Sequence, residues 1–169
     1  MDAIEARGSK SEVYLWSDDN LSTDLLLRKD SRTLLERIQS YGRGYGKACC
    51  VKGFDAESFA FNTSAEGSGF EEQLLILRGY SEMGLDLHIY VTLTAPPRAG
   101  DREAMTRFIE RLLNIRDDLP GRAVPLLVSE FATMTARVNP IRADALEHQW
   151  RLLDMWRESL HALGLADCG

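Results

Sequence analysis

Carboxylates, an amide and a lysine gather where short apolar runs stop, and these residue types hold polar ligands or move protons. Asp18, Asp19 and Asn20 follow the run 12–17 (EVYLWS), and Lys52 and Asp55 follow 47–51 (KACCV). Thr92 and Thr94 end the run 85–93, and Ser129 and Glu130 follow 124–128 (VPLLV). Carboxylates facing a lysine in an enclosed site bind a polar substrate or trade protons, because enclosure shifts their pKa values. Loop polarity explains any one of these residues, but recurrence at the end of each run marks the set. No serine or histidine stands in a nucleophile motif, so no catalytic residue is assigned.

The run 85–93 adds a second pattern. In an extended strand Leu87, Ile89, Val91 and Leu93 share one face, and His88, Tyr90, Thr92 and Thr94 share the other. A helix-covered outer face and a polar inner face suit a partial barrel with a ligand-filled lumen, whereas a doubly wound sheet buries both faces of its central strands. The expected binding set is therefore Asp18, Asp19, Asn20, Lys52, Asp55, His88, Tyr90, Thr92, Thr94 and Glu130.

These residues need elements to position them. The run 12–17 reads as a first strand, and Ser22 or Thr23 then caps a helix carrying Leu27, Leu34, Leu35 and Ile38 that ends at Gly42, Gly44 and Gly46. A second strand over 47–51 turns at Gly53, and a second helix over 70–83 stops at Gly84. The third strand ends at Ala95-Pro96-Pro97, and Asp101 heads a helix with Met105, Phe108, Ile109, Leu112 and Leu113. The fourth strand over 124–128 leads to a last helix with Trp150, Leu153, Trp156, Leu160 and Leu163. Strand-helix steps of about 35 to 40 residues predict an α/β fold of consecutive units with a parallel sheet, like part of a TIM barrel. Residues 1–11 read as a flexible segment, 12–165 as one domain of four such units, and 166–169 as a tail.

Composition narrows the partners. With 20 basic and 26 acidic residues the net charge is −6, which repels a phosphate backbone, so neither nucleic acid nor an anionic membrane is expected as a partner. Arg28, Lys29, Arg32 and Arg37 alternate with Asp24, Asp30 and Glu36 at helical spacing, as on a solvated helix face. No apolar run suits a membrane span and 1–10 has no secretory pattern, so a cytoplasmic setting is the expectation. Cys49, Cys50 and Cys168 form neither CxxC nor CxxxCxxC, and His88, His148 and His161 are scattered, so no metal site is expected from this chain alone.

Three segments carry a resemblance: LWSDDNLS over 15–22, CCVKGFDAESFAFNT over 49–63 and QLLILRGYSEMGLDLHIYVTLT over 73–94. At these strand ends the chain resembles the later strand-helix units of radical SAM enzymes, with VPLLVSEF following in register. The resemblance implies a partial barrel in which residues matching Asp18, Asn20, Lys52, Thr94 and Glu130 help hold substrate or cofactor. The family's CxxxCxxC motif, which holds a [4Fe-4S] cluster, is not present here. S-adenosylmethionine and the cluster are therefore expected only if a cluster-bearing N-terminal portion is supplied, by a longer chain or by a partner, and the chain is not expected to act alone. Association through the edge of the first strand would follow, with a polar small molecule as substrate. The alternative is a non-enzymatic α/β module that binds a partner or small metabolite through the same loops.

Overall fold

The first strand lies at an edge of the sheet, and each later strand pairs beside the one before it. The computed structural model describes residues 1–8, 12–129 and 140–165. Strands β1 (Leu15–Asp19), β2 (Tyr45–Lys52), β3 (Asp86–Thr92) and β4 (Ala123–Leu126) form one sheet in the order β1-β2-β3-β4, with every pair parallel. Parallel neighbours need crossovers, and helices supply them: α2 (Arg32–Gln39), α3 (Ala56–Thr63), α4 (Gly69–Glu82), α5 (Asp101–Leu113) and the short α6 (Leu119–Arg122). The last helix, α7 (Pro140–Ala162), packs along α5. The fold is α/β, built from consecutive strand-helix units.

Crossovers of one hand between sequential strands return on one side of the sheet. That side is sealed: Leu87, Ile89 and Val91 of β3 have no exposed surface, and Val51 and Cys49 of β2 have none either. They meet Leu74, Leu77 and Tyr80 of α4 and Met105, Ile109 and Leu112 of α5 within one apolar core. Phe108 links the helix layer outward, with ring centroids 6.0 Å from Phe70 and 6.1 Å from Trp156 on α7. The opposite side is bare over much of its area: Tyr14, Trp16 and Asp18 are exposed, and His88 and Tyr90 are half-buried. The alternation in β3 thus separates a sealed helix-facing row from a row that is half-buried at His88 and Tyr90 and buried at Thr92 and at Thr94 beyond the strand.

Several boundaries differ from the expectation. The helix placed after Ser22 starts ten residues later, at Arg32, because two 3-10 turns (Leu25–Leu27 and Lys29–Ser31) occupy the interval and Ser31 Oγ donates to the Leu25 carbonyl. Asp18 and Asp19 lie inside β1, which begins at Leu15. Helix α3 was not expected, since Gly53 reads as a turn before a long loop. Gly53 does take a left-handed φ of 93°, and a Cβ there would lie 2.6 Å from the Phe59 backbone nitrogen. The segment 1–11, expected to be flexible, contains helix α1 (Asp2–Ala6), which Arg37 of α2 holds by bonds to Asp2 and Glu5. The tail 166–169 lies outside the described residues. No helix among the described residues is long and apolar enough to cross a membrane.

Leu77 sits at the centre of the sealed side with no exposed surface. Replacing it with alanine is expected to lower the unfolding free energy by about 2 to 5 kcal/mol, read from urea denaturation at an unchanged slope.

Candidate strand-end site

A cavity of about 300 Å³ opens where β2, β3 and the segment after β4 end. Lys52 and Thr92, paired in register, form its floor with Thr94 just beyond. Phe61, Asn62 and Thr63 from the end of α3 make one wall. Val128 and Ser129 after β4, with Arg142 and Leu146 from the first two turns of α7, make the other. In parallel α/β folds these carboxyl ends are where ligands bind, because the loops vary while the strands stay rigid.

The walls are set by hydrogen bonds more than by apolar contact. Asp55 caps α3: its Oδ1 accepts from the Ser58 nitrogen at 2.9 Å, and Ser58 Oγ accepts from the Asp55 nitrogen at 3.0 Å. This fixes the helix that carries Asn62, whose Nδ2 donates to the Thr94 carbonyl at 2.9 Å and to the Ser58 carbonyl at 2.8 Å. Gln149 of α7 clamps the far wall, accepting from the Val128 nitrogen and donating to the Val128 carbonyl, both at 2.9 Å. Thr94 Oγ1 donates to the same Gln149 Oε1 at 3.1 Å. Thr94 and Gln149 are both buried, so each bond satisfies a group cut off from water.

A second network braces the site from outside. Arg98, in the loop after β3, pairs with Asp55, with Glu57 and, at 2.8 Å, with Asp101. Burial works against the Arg98 charge, but hydrogen bonds to Asp101, Glu57 and Asp55 outweigh it and raise its pKa. Asp101 also accepts from His148 of α7 at 2.9 Å when that ring nitrogen carries the proton. The chain Asp55-Arg98-Asp101-His148 thereby ties α3, α5 and α7 together around the strand ends.

The expected residues do not share one place. Lys52, Thr92 and Thr94 line the cavity. Asp18 and Tyr90 lie on the open face, with Asp18 Oδ1 accepting from Trp16 Nε1 at 3.1 Å, and Asn20 is exposed just after β1. His88 belongs to an aromatic cluster at the amino ends of the strands. Its ring lies 4.5 Å from that of Trp16, and the two meet across β2, where Gly46 leaves room for the Tyr14 ring. Tyr14 Oη donates to Asp86 at 2.9 Å; burial pushes this hydroxyl's pKa up, and the Asp86 carboxylate pushes it further. Asp55 caps α3 and pairs with Arg98, outside the lining. Glu130 lies outside the described residues.

Asp19 faces the other way. It shares the helix side with Leu15 and Ser17, and its Oδ2 lies 3.0 Å from the buried Lys47 Nζ. Tyr80 Oη donates to the same oxygen at 2.8 Å, and the Leu21 nitrogen donates to Oδ1 at 2.7 Å. Strand parity would have placed Asp19 here, since it lies an even number of residues from Leu15. Asn62, Gln149 and Arg98 were not singled out from the sequence. The signal for Asn62 was the Asp55-x-x-Ser58 spacing, which starts a helix.

Among the described residues around the cavity there is no carboxylate, histidine or cysteine. Cys49 and Cys50 point to opposite faces of β2, with Cys49 sealed in the core. Burial pushes the Cys49 thiol up to about 12, the reverse of what a metal-binding thiolate needs. Among the described residues no three histidines, cysteines or carboxylates are grouped to hold a metal ion.

Two outcomes check these placements. Asp19→Ala strands the Lys47 ammonium in the core and is expected to lower stability by about 3 to 5 kcal/mol, whereas the exposed Asp18→Ala changes it by less than about 0.5 kcal/mol in the same denaturation assay. The folded chain keeps the Cys49 proton that the unfolded chain releases from about pH 9, so stability falls as pH rises from 9 toward 12. Cys49→Ala is expected to make that fall shallower. Compared with family models, curated proteins and solved structures, the chain matches none.

Proposed function

We propose that the chain is a radical SAM-like barrel half whose strand-end cavity holds a polar small molecule, substrate or S-adenosylmethionine. The observation that carries this reading is the position of Lys52, Thr92 and Thr94 around one cavity, at the carboxyl ends of successive parallel strands with one face bare. β1 is the edge at which further parallel strands would extend that face.

The described residues do not fit an iron-sulfur cluster, because Cys49 and Cys50 diverge across the strand and Cys49 is sealed from solvent. A cluster would have to come with other residues. The fit to the organic cofactor or a polar substrate is better: the lining offers an ammonium, several hydroxyls and an amide beside the Phe61 ring. In this role the chain's own residues bind and orient. Lys52 supplies positive charge, Asn62 fixes the Thr94 backbone, and Gln149 holds the Val128 backbone that forms the wall. A second reading, a metabolite-binding module without radical chemistry, is favoured by a described lining in which hydroxyls, an amide and apolar side chains outnumber the one unpaired titratable group, Lys52.

The adjoining coding sequence is expected to hold a cysteine triad near CxxxCxxC, and co-expressing that stretch with this chain should give a brown, iron-loaded complex. S-adenosylmethionine added to that complex should shift the amide signals of Asn62 and Thr94. A complex that forms without iron, or one that leaves these signals unmoved, would eliminate the radical reading and favour the binding module.

A further inference from the structure

Lys52 differs from the other half-buried cations of the chain. Arg98, Arg116 and Arg122 are each paired with carboxylates, and the buried Lys47 is paired with Asp19. The Lys52 side chain makes no ion pair or hydrogen bond with any described residue, yet it is only partly exposed and lines the cavity. A half-buried ammonium with no counterion is costly unless something negative visits it. Each wall around it mixes polar and apolar groups: Phe61 stands with Asn62 and Thr63 on one side, and Val128 and Leu146 with Ser129 and Arg142 on the other. Arg142 in the wall has an interaction of its own, which leaves Lys52 as the cation of the described lining without one.

The form of the negative group is limited by the backbone. Phosphate sites in α/β folds are built from free N–H groups in the loop after a strand and at the next helix N-terminus. In the loop that follows β2, beside Lys52, three such donors are committed: the Gly53 nitrogen donates to the Thr92 carbonyl at 3.1 Å, and the Phe54 and Asp55 nitrogens donate to Ser58 Oγ at 2.9 and 3.0 Å. The Asp55 carboxylate already caps α3. The Thr63 and Thr94 hydroxyls donate to the Phe59 carbonyl and to Gln149, so among the described lining the Lys52 ammonium and the Thr92 and Ser129 hydroxyls remain as donors, which match a single negative charge. The volume of about 300 Å³ lies at the small end of ligand pockets.

Resting on the reading that the cavity binds a small molecule, we propose that its ligand carries a single carboxylate paired with Lys52 and an apolar body against Phe61, Val128 and Leu146. The charge is read by Lys52, and the size is limited by the wall at Val128, which Gln149 holds in place.

Four probes of one shape and different charge test this on the full chain: phenylacetate, phenylacetamide, phenethylamine and benzyl phosphate. Binding is followed by the amide signals of Asn62 and Thr94. Phenylacetate is expected to bind about ten-fold more tightly than the amide, with the amine weakest. Lys52→Met should bring the acid down to the level of the amide, while Lys52→Arg keeps most of the preference; far-UV circular dichroism checks that both fold. Equal binding of acid and amide, tighter binding of the phosphate, or a preference that survives Lys52→Met would overturn the carboxylate assignment and leave the cavity reading standing. If no probe of any charge moves these signals, both fail. Should Lys52→Met not fold, the ranking of the four probes on the native chain decides alone.

Discussion

Every strand runs in the same direction and takes its place beside the one before it, and the rest of the structure depends on that constraint. Parallel strands cannot be joined by tight turns, so each join carries a helix, and successive joins of one hand stack their helices on one side. The core then has one side on which to form. Leu87, Ile89 and Val91 are sealed there, while His88 and Tyr90 between them look onto the other face and are only half-buried. A face left bare in this way is a liability for a structural domain and an asset for a binding one.

The same constraint explains why two lysines of one strand have opposite roles. Lys47 and Lys52 are five residues apart in β2, so they project to opposite sides. Lys47 enters the helix layer, where a charge survives only beside Asp19 and the Tyr80 hydroxyl. Lys52 lies at the strand end, beside a cavity and no carboxylate of the described residues. Chemistry alone does not separate them; their position along the pleat does.

Much of the fold was legible because its signals are periodic. The alternation from Leu87 to Thr94 and the apolar spacing of Met105, Phe108, Ile109 and Leu112 gave a strand and a helix within a residue or two of those observed. Helix α3 was not legible, because eight residues with Phe59, Ala60 and Phe61 in a row show no clear 3.6-residue period, and its start depends on a side-chain bond between Asp55 and Ser58. Of the site, the strand-end polar residues were legible and their partners were not. Asn62 and Gln149 shape the cavity through bonds to the backbone of Thr94 and Val128, and pairings so far apart in sequence leave no local pattern. Asp19 shows the converse error, in which polarity beside a loop masked a structural ion pair.

The Gln149 clamp also has a temporal side. One wall of the cavity comes from α7, while the floor and opposite wall are complete by Thr94. As the polypeptide leaves the ribosome, the earlier strands and their helices emerge first, and the pocket stays open on one flank until α7 is made and docks. Its formation therefore depends on distant contacts, which form slowly, and until α7 docks the Phe108 side of α5 lacks the cover that Trp156 supplies.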